Sequence, residues 1–128
     1  MSPNDLSHAC IGAAFEVHDY LGPGLLERSY QFALKHELEQ RGFGVEAEVP
    51  IAVQYKGLDL GMGYRIDLLV ERLIVIECKC VARVLDQHEA QLLTYLLHGR
   101  FPVGLLFNFS ALRLKHDMVR KVNGRFPL

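Results

Sequence analysis

A chain of 128 residues, half of them hydrophobic and 23% charged, has the size and balance of one globular domain with a single core, expected to span residues 1–128. No apolar run reaches the roughly 18–20 residues that cross a bilayer, and Met1-Ser2-Pro3-Asn4-Asp5 lacks the basic start and apolar stretch of a signal peptide, so no membrane association is expected. The net charge of −1 excludes a uniformly basic protein but hides an asymmetry. Arg100, Arg113, Lys115, Arg120, Lys121 and Arg125 face a single acid, Asp117, after residue 99; that stretch carries +5 and the first 99 residues carry −6. A basic tail beside an acidic body suits a polyanion at one place and a cation at another, although a solvated charged surface gives the same pattern. Three cysteines (Cys10, Cys78, Cys80) form no disulfide framework, which fits a reducing, cytoplasmic setting.

In chain order, Leu6, Ala9, Cys10, Ala13, Val17 and Tyr20 recur at helical spacing and predict a helix over 4–20, with Ser2 or Asn4 as its cap. Leu21-Gly22-Pro23-Gly24 breaks it. A second helix is predicted over 25–40, with Leu26, Tyr30, Ala33, Leu34 and Leu38 inward. Val45, Val49, Ile51, Val53 and Tyr55 take alternate positions and predict one half-buried strand, with Pro50 at an edge or bulge. Lys56-Gly57 turns the chain. Strands follow over 63–70 and 74–81, the second so apolar at Leu73-Ile74-Val75-Ile76 that it reads as central. Asp86 to His98 reads as a helix, with Asp86 and Glu89 at capping-box spacing. A strand over 103–109 and a last one within 112–122 complete an α-α-β-β-β-α-β-β order. The expectation is a layered α/β domain with a mixed sheet, its first three strands antiparallel and a later one returning through a helix.

Asp67, Glu77 and Lys79 stand out because they interrupt or end these apolar strands. Ionised groups are costly to bury unless paired or bound to a metal. Glu77 and Lys79, two apart, share a face. Asp67 faces Glu77 only if Val70 pairs with Ile74, leaving Glu71-Arg72-Leu73 as a three-residue loop, or if a bulge restores the parity; a two-residue turn sets the acids on opposite faces. Two close carboxylates repel, and a hard cation such as Mg²⁺, which takes one or two carboxylates, waters and phosphate oxygens, removes the repulsion. A neighbouring lysine then positions the attacking water or stabilises charge on phosphorus. The plainer alternative is a surface ion pair.

Glu27 lies in the first turn of the second helix, where it either complements the helix dipole and bonds back to the cap, or points at the sheet to hold a water. Gln91 and Tyr95, four apart on the third helix, share a face. They form either a polar flank or a hydrogen-bonding pair near the metal. His18, His88 and His98 form no recognisable metal set, and Cys78 and Cys80 point away from the Glu77 face as core thiols.

Gly24-Leu25-Leu26-Glu27-Arg28-Ser29-Tyr30 resembles the signature of the GxxExxY protein family, itself similar to the PD-(D/E)XK nucleases with their restriction-endonuclease-like core. The likeness runs through Val17-His18, Leu21-Gly22-Pro23-Gly24, Tyr55-Lys56-Gly57, Arg65-Ile66-Asp67-Leu68-Leu69-Val70-Glu71, Ile76-Glu77-Cys78-Lys79, His88, Ala90-Gln91-Leu92-Leu93, Tyr95-Leu96, Gly104-Leu105-Leu106 and Asn108-Phe109. It implies that Asp67 and Glu77 bind Mg²⁺ or Mn²⁺ with the backbone carbonyl of Cys78, and that Lys79 is the catalytic lysine. Glu27 becomes the helix acid, and Gln91 with Tyr95 the accessory QxxxY pair. The implied activity is hydrolysis of phosphodiester bonds in nucleic acid, DNA ahead of RNA, by a metal-activated water. The alternative is a module that keeps the fold and binds nucleic acid or a partner without turnover. A chain this small also makes a homodimer an expectation.

Overall fold

A computed structural model describes residues 1–61 and 63–128. Helix α1 (Pro3–Leu21) starts where the Ser2 hydroxyl accepts from the Asp5 N–H at 3.1 Å. Gly22 and Gly24, with φ of +70° and +110°, then take a path that residues bearing Cβ rarely follow. Helix α2 (Glu27–Gln40) comes next. Strands β1 (Val45–Pro50), β2 (Gln54–Tyr55), β3 (Leu58–Asp59), β4 (Arg65–Val70) and β5 (Ile74–Lys79) precede helix α3 (Asp86–Gly99). Strand β6 (Val103–Asn108), a 3₁₀ turn (Leu114–His116) and strand β7 (Met118–Val122) close the chain.

The sheet runs β1-β4-β5-β6-β7, with β2 and β3 as a separate hairpin. The pairs β1–β4, β4–β5 and β6–β7 are antiparallel, and β6 lies parallel to β5 after the α3 crossover. This is the mixed sheet expected from the sequence, with α1 and α2 packed on one face and α3 on the other. Ile74, Ile76 and Cys78 of β5 join the α1–α2 core, while Val75 joins Leu92, Tyr95 and Leu96 of α3. Gly104 permits the close seating of α3, because a Cβ there would meet Leu92 at 2.8 Å. Among the described residues no helix is long and apolar enough to cross a membrane.

Three expectations need correction. The single strand over 45–55 divides: β1 ends at Pro50, Ile51 and Val53 drop into the α3-side core, and only Gln54–Tyr55 resume pairing, in the hairpin. Alternation continued through the break because both pieces bury every second residue. The last strand begins at Met118, since the preceding residues form the 3₁₀ turn with Leu114 buried. The start of α3 is closed by His88, whose Nδ1 accepts from Leu85 N–H at 2.9 Å; Glu89 instead pairs with Lys121 at 3.0 Å.

A further feature has no counterpart in the sequence pattern. Val45 and Ala47 pack toward the α1–α2 core, yet Val49 packs toward α3; in β4, Leu68 and Val70 face the first core and Ile66 the second. Both strands exchange faces between the pairs Ala47–Leu68 and Val49–Ile66, which flank Glu48 and Asp67. Glu48 has φ +56°, a conformation that costs a non-glycine residue about 1 kcal/mol or more. The distortion therefore sits beside Asp67.

Candidate active site

The β4–β5 register decides whether the acids meet. Val70 pairs with Ile74 and Leu68 with Ile76, so the loop is Glu71-Arg72-Leu73 and Asp67 comes opposite Glu77. The loop closes by Leu73 N–H donating to the Val70 carbonyl at 2.9 Å, with Glu71 and Arg72 both at positive φ. It combines the tight turn of a two-residue hairpin with one extra residue, Leu73, that restores the parity.

At the other end of this pair the ladder opens, and side chains take its place. Glu77 Oε2 accepts from the Asp67 N–H at 2.7 Å, and Asp67 Oδ2 accepts from the Cys78 N–H at 2.9 Å. Glu27 Oε1 accepts from the Cys80 N–H at 2.9 Å. Each carboxylate thus holds a neighbouring backbone amide with one oxygen. Glu77 is 4% exposed. No buried side-chain oxygen or nitrogen lacks a partner among the described residues, so the second oxygen of Glu77, which accepts no hydrogen bond, reaches solvent.

The electrostatics follow from this crowding. Burial, then the charge of Asp67, push the Glu77 carboxyl up to about 8, against the Asp67 N–H bond and Lys79. Burial also raises Asp67, opposed by the Cys78 amide and Lys79. Glu27 adds negative charge at both. Lys79, half-buried and on the Glu77 face, enters no ion pair among the described residues. Tyr95, 3% exposed, is raised to about 12 by burial and then by Glu77 and Asp67, so its hydroxyl stays protonated.

The Cys78 carbonyl faces the same gap. In a strand, the N–H and C=O of one residue point to the same edge. The Cys78 N–H points to Asp67, and the next carbonyl, that of Lys79, turns away to accept from Phe109 N–H at 2.9 Å. Two carboxylates and a carbonyl are hard oxygen donors, and a cation would offset the burial and, after it, the Asp67 charge that raise Glu77. No group of three or more His, Cys, Asp or Glu side chains that could cage an ion occurs among the described residues. Four cavities of about 370 to 530 Å³ are lined by other residues and contain neither acid.

A family model for the PD-(D/E)XK nuclease superfamily matches residues 4–122. The chain belongs to that superfamily. No curated protein and no solved structure matches it. As a member of the PD-(D/E)XK superfamily it has a nuclease fold, and the sheet of three antiparallel strands followed by a parallel return is the mixed α/β core expected of it.

Within this superfamily member the sequence candidates fare differently. Asp67, Glu77 and Cys78 touch through hydrogen bonds, Lys79 and Tyr95 join electrostatically, and Glu27 reaches the gap through Cys80. Glu27 does not bond back to its cap, because the capping residue is Leu26 and the carboxylate is engaged elsewhere. Tyr30 explains its reach: buried and stacked on Phe109 with centroids 4.6 Å apart, it accepts from Leu25 N–H at 3.1 Å and donates to the Gly22 carbonyl, which locks the start of α2. Gln91 is exposed, and its side chain makes no hydrogen bond among the described residues. Cys78 is fully buried, whereas Cys80 is only half-buried, so the expected pair of core thiols is one. His18 is satisfied by the Ala111 carbonyl at 2.8 Å.

Sequence reasoning missed Glu48 and Gln31. Gln31 donates to Glu48 Oε1 at 3.1 Å and to the Asp67 carbonyl at 3.3 Å, and Glu48 adds its charge to the acids around Asp67. In sequence Glu48 is one polar residue of an alternating strand, and nothing marks it until β1 is paired with β4.

Proposed function

We propose that this protein is a Mg²⁺- or Mn²⁺-dependent nuclease that hydrolyses phosphodiester bonds, with DNA as its substrate and the reducing cytoplasm as its setting. One observation carries the reading: Asp67 and Glu77 meet across β4 and β5 near Lys79, which enters no ion pair among the described residues. A purely structural role leaves that arrangement unexplained, because two like charges held together with little solvent cost free energy, and among the described residues neither acid has an ion-pair partner to offset it. Asp67, Glu77 and the Cys78 carbonyl are the residues that would hold the cation. When bound, the ion supplies positive charge to the phosphate oxygens and makes water a better nucleophile at neutral pH.

The chain's own groups do the rest. Lys79 hydrogen-bonds the attacking water or a non-bridging phosphate oxygen as negative charge grows there. Glu27, with one oxygen engaged by Cys80, uses the other to orient a water. Gln91, exposed one helical turn from Tyr95, donates to a water or phosphate, while Tyr95 fills the space behind the acids as a protonated hydrogen-bonding group. The half-buried Cys80 and buried Cys10 and Cys78 remain free thiols, as a reducing compartment allows.

The test is cleavage of duplex, single-stranded and branched DNA and of RNA, with Mg²⁺, Mn²⁺ or EDTA. Cleavage should need the metal, favour DNA and fall about 100-fold or more in Lys79→Ala. Asp67→Ala should also lose a calorimetric Mn²⁺ site. Metal-independent cleavage, or undiminished activity in Lys79→Ala, would rule the mechanism out; metal and DNA binding with no turnover would leave a binding module on the same fold.

A further inference from the structure

The edge of the sheet that bears Lys79 also bears a loop to which the chemistry above assigns no task. β6 runs parallel to β5 with Asn108 beside Lys79, and Phe109 N–H donates to the Lys79 carbonyl. The segment from Ser110 to Lys115 therefore leaves the sheet next to Lys79. It is held on several sides. Asn108, fully buried, accepts from the N–H groups of Val81 at 3.1 Å and Ser110 at 3.2 Å and donates to the Val81 carbonyl at 2.8 Å and to Asp117 at 2.6 Å. His18 secures the Ala111 carbonyl, and Leu114 is buried in the core.

What this fixed loop leaves outside is Leu112, 86% exposed, with Arg113 and Lys115 also exposed. Neither cation enters an ion pair among the described residues. The acid that follows, Asp117, is occupied by Asn108 and the Val84 N–H. Asp19 lines the hollow under the loop without pairing either cation. An apolar tip followed by two cations unpaired among the described residues, ordered in advance on a segment that leaves the sheet beside Lys79, matches the chemistry of a nucleic-acid backbone with bases beyond it.

We propose that the Ser110–Lys115 loop is the substrate grip of the site, an assignment that rests on the nuclease reading above. Arg113 and Lys115 bind phosphates of the strand near the scissile bond, and Leu112 presses on the adjoining sugars or bases. Because the loop is already tied down, little ordering entropy is lost on binding.

Binding of a fluorescent DNA duplex, measured by anisotropy in EDTA over a range of salt concentrations, tests this without cleavage. Each phosphate contact adds about 0.9 to the slope of log affinity against log salt. The double variant Arg113→Ala/Lys115→Ala should lower that slope by about 2 and weaken binding about tenfold or more. Leu112→Gln should weaken binding severalfold at unchanged slope. Arg72→Ala removes the same sign of charge at the opposite end of β4 and β5 and should leave the slope unaltered. An unchanged slope in the double variant, an equal loss in Arg72→Ala, an unaffected Leu112→Gln, or a wild type that binds no DNA overturns the assignment. Cleavage assayed on the same preparations separates the two ideas: the expected binding pattern without turnover removes the nuclease and keeps the grip, whereas Lys79-dependent cleavage with an unchanged slope removes the grip alone.

Discussion

Replacing Glu77 by glutamine is expected to stabilise the metal-free protein, and to do so only as the pH rises. The Glu77 carboxyl moves from an ordinary 4.5 to about 8 in the folded protein, through burial first and the charge of Asp67 second. In the unfolded chain it ionises near its ordinary value. Between those two pH values the folded state holds a proton that the unfolded state has lost, so folding stability is greatest below the lower value and declines as pH rises toward the upper one. At about 1.4 kcal/mol per pH unit, the decline sums to about 5 kcal/mol, a large part of the roughly 5–15 kcal/mol that stabilises a domain. Asp67, also raised by burial, acts in the same direction. The Glu77→Gln side chain keeps a carbonyl to accept from the Asp67 N–H, so the variant should fold. Urea denaturation in EDTA from about pH 5 to pH 9 should show the wild type weakening with pH while Glu77→Gln stays nearly level. Mg²⁺ added near pH 8 should restore the wild type and leave the variant unchanged. Parallel pH profiles for the two proteins in EDTA would refute the reasoning.

Tyr30→Phe removes the hydroxyl that links Leu25 and Gly22; a loss of about 2 kcal/mol is expected in urea denaturation, with faster hydrogen exchange at the Cys80 amide as Glu27 loosens. Asn108→Ala strands the Val81 amide and carbonyl and should cost about 3 kcal/mol. Its nuclease activity should fall further than stability alone accounts for, since the chain after Lys79 loses its anchor. Thiol titration of the native protein should find one slowly reacting cysteine, Cys80, and three after unfolding. Burial pushes Cys10 up to about 12 and Cys78 well above the usual thiol range, whereas Cys80 is raised less and stays partly accessible. Rapid reaction of two or more native thiols would contradict the packing of β5 and α1.

Much of the architecture was legible because the strands and helices carry their burial pattern in sequence. Ile74 to Ile76 announced a central strand, and Gly22-Pro23-Gly24 announced the break between α1 and α2. The pairing of Asp67 with Glu77 was narrowed to a parity condition by the loop length, and the structure meets it. Where the pattern misled, a local rule was satisfied by a different arrangement. Ile51 and Val53 alternate as a strand does, yet they bury their side chains against the α3-side core outside any ladder, each held by one backbone hydrogen bond, Ile51 N–H to the Tyr64 carbonyl and Leu60 N–H to the Val53 carbonyl. Asp86 and Glu89 had the spacing of a capping box, but the His88 ring is the group that reaches the Leu85 amide.

The sequence by itself determined which groups are available for chemistry: two acids and a lysine set into apolar strands, and a glutamate at the head of a helix. These follow from periodicity, which is local, and from the cost of placing charge in a core. Only the tertiary structure decided what surrounds them. Glu48 lies next to Asp67 because β1 pairs with β4, Glu27 meets the Cys80 amide because Tyr30 anchors α2, and the Ser110–Lys115 loop leaves the sheet beside Lys79 because β5 and β6 run parallel in register. Such neighbours are far apart along the chain, and their meeting is fixed by strand pairing and packing, which no local spacing encodes.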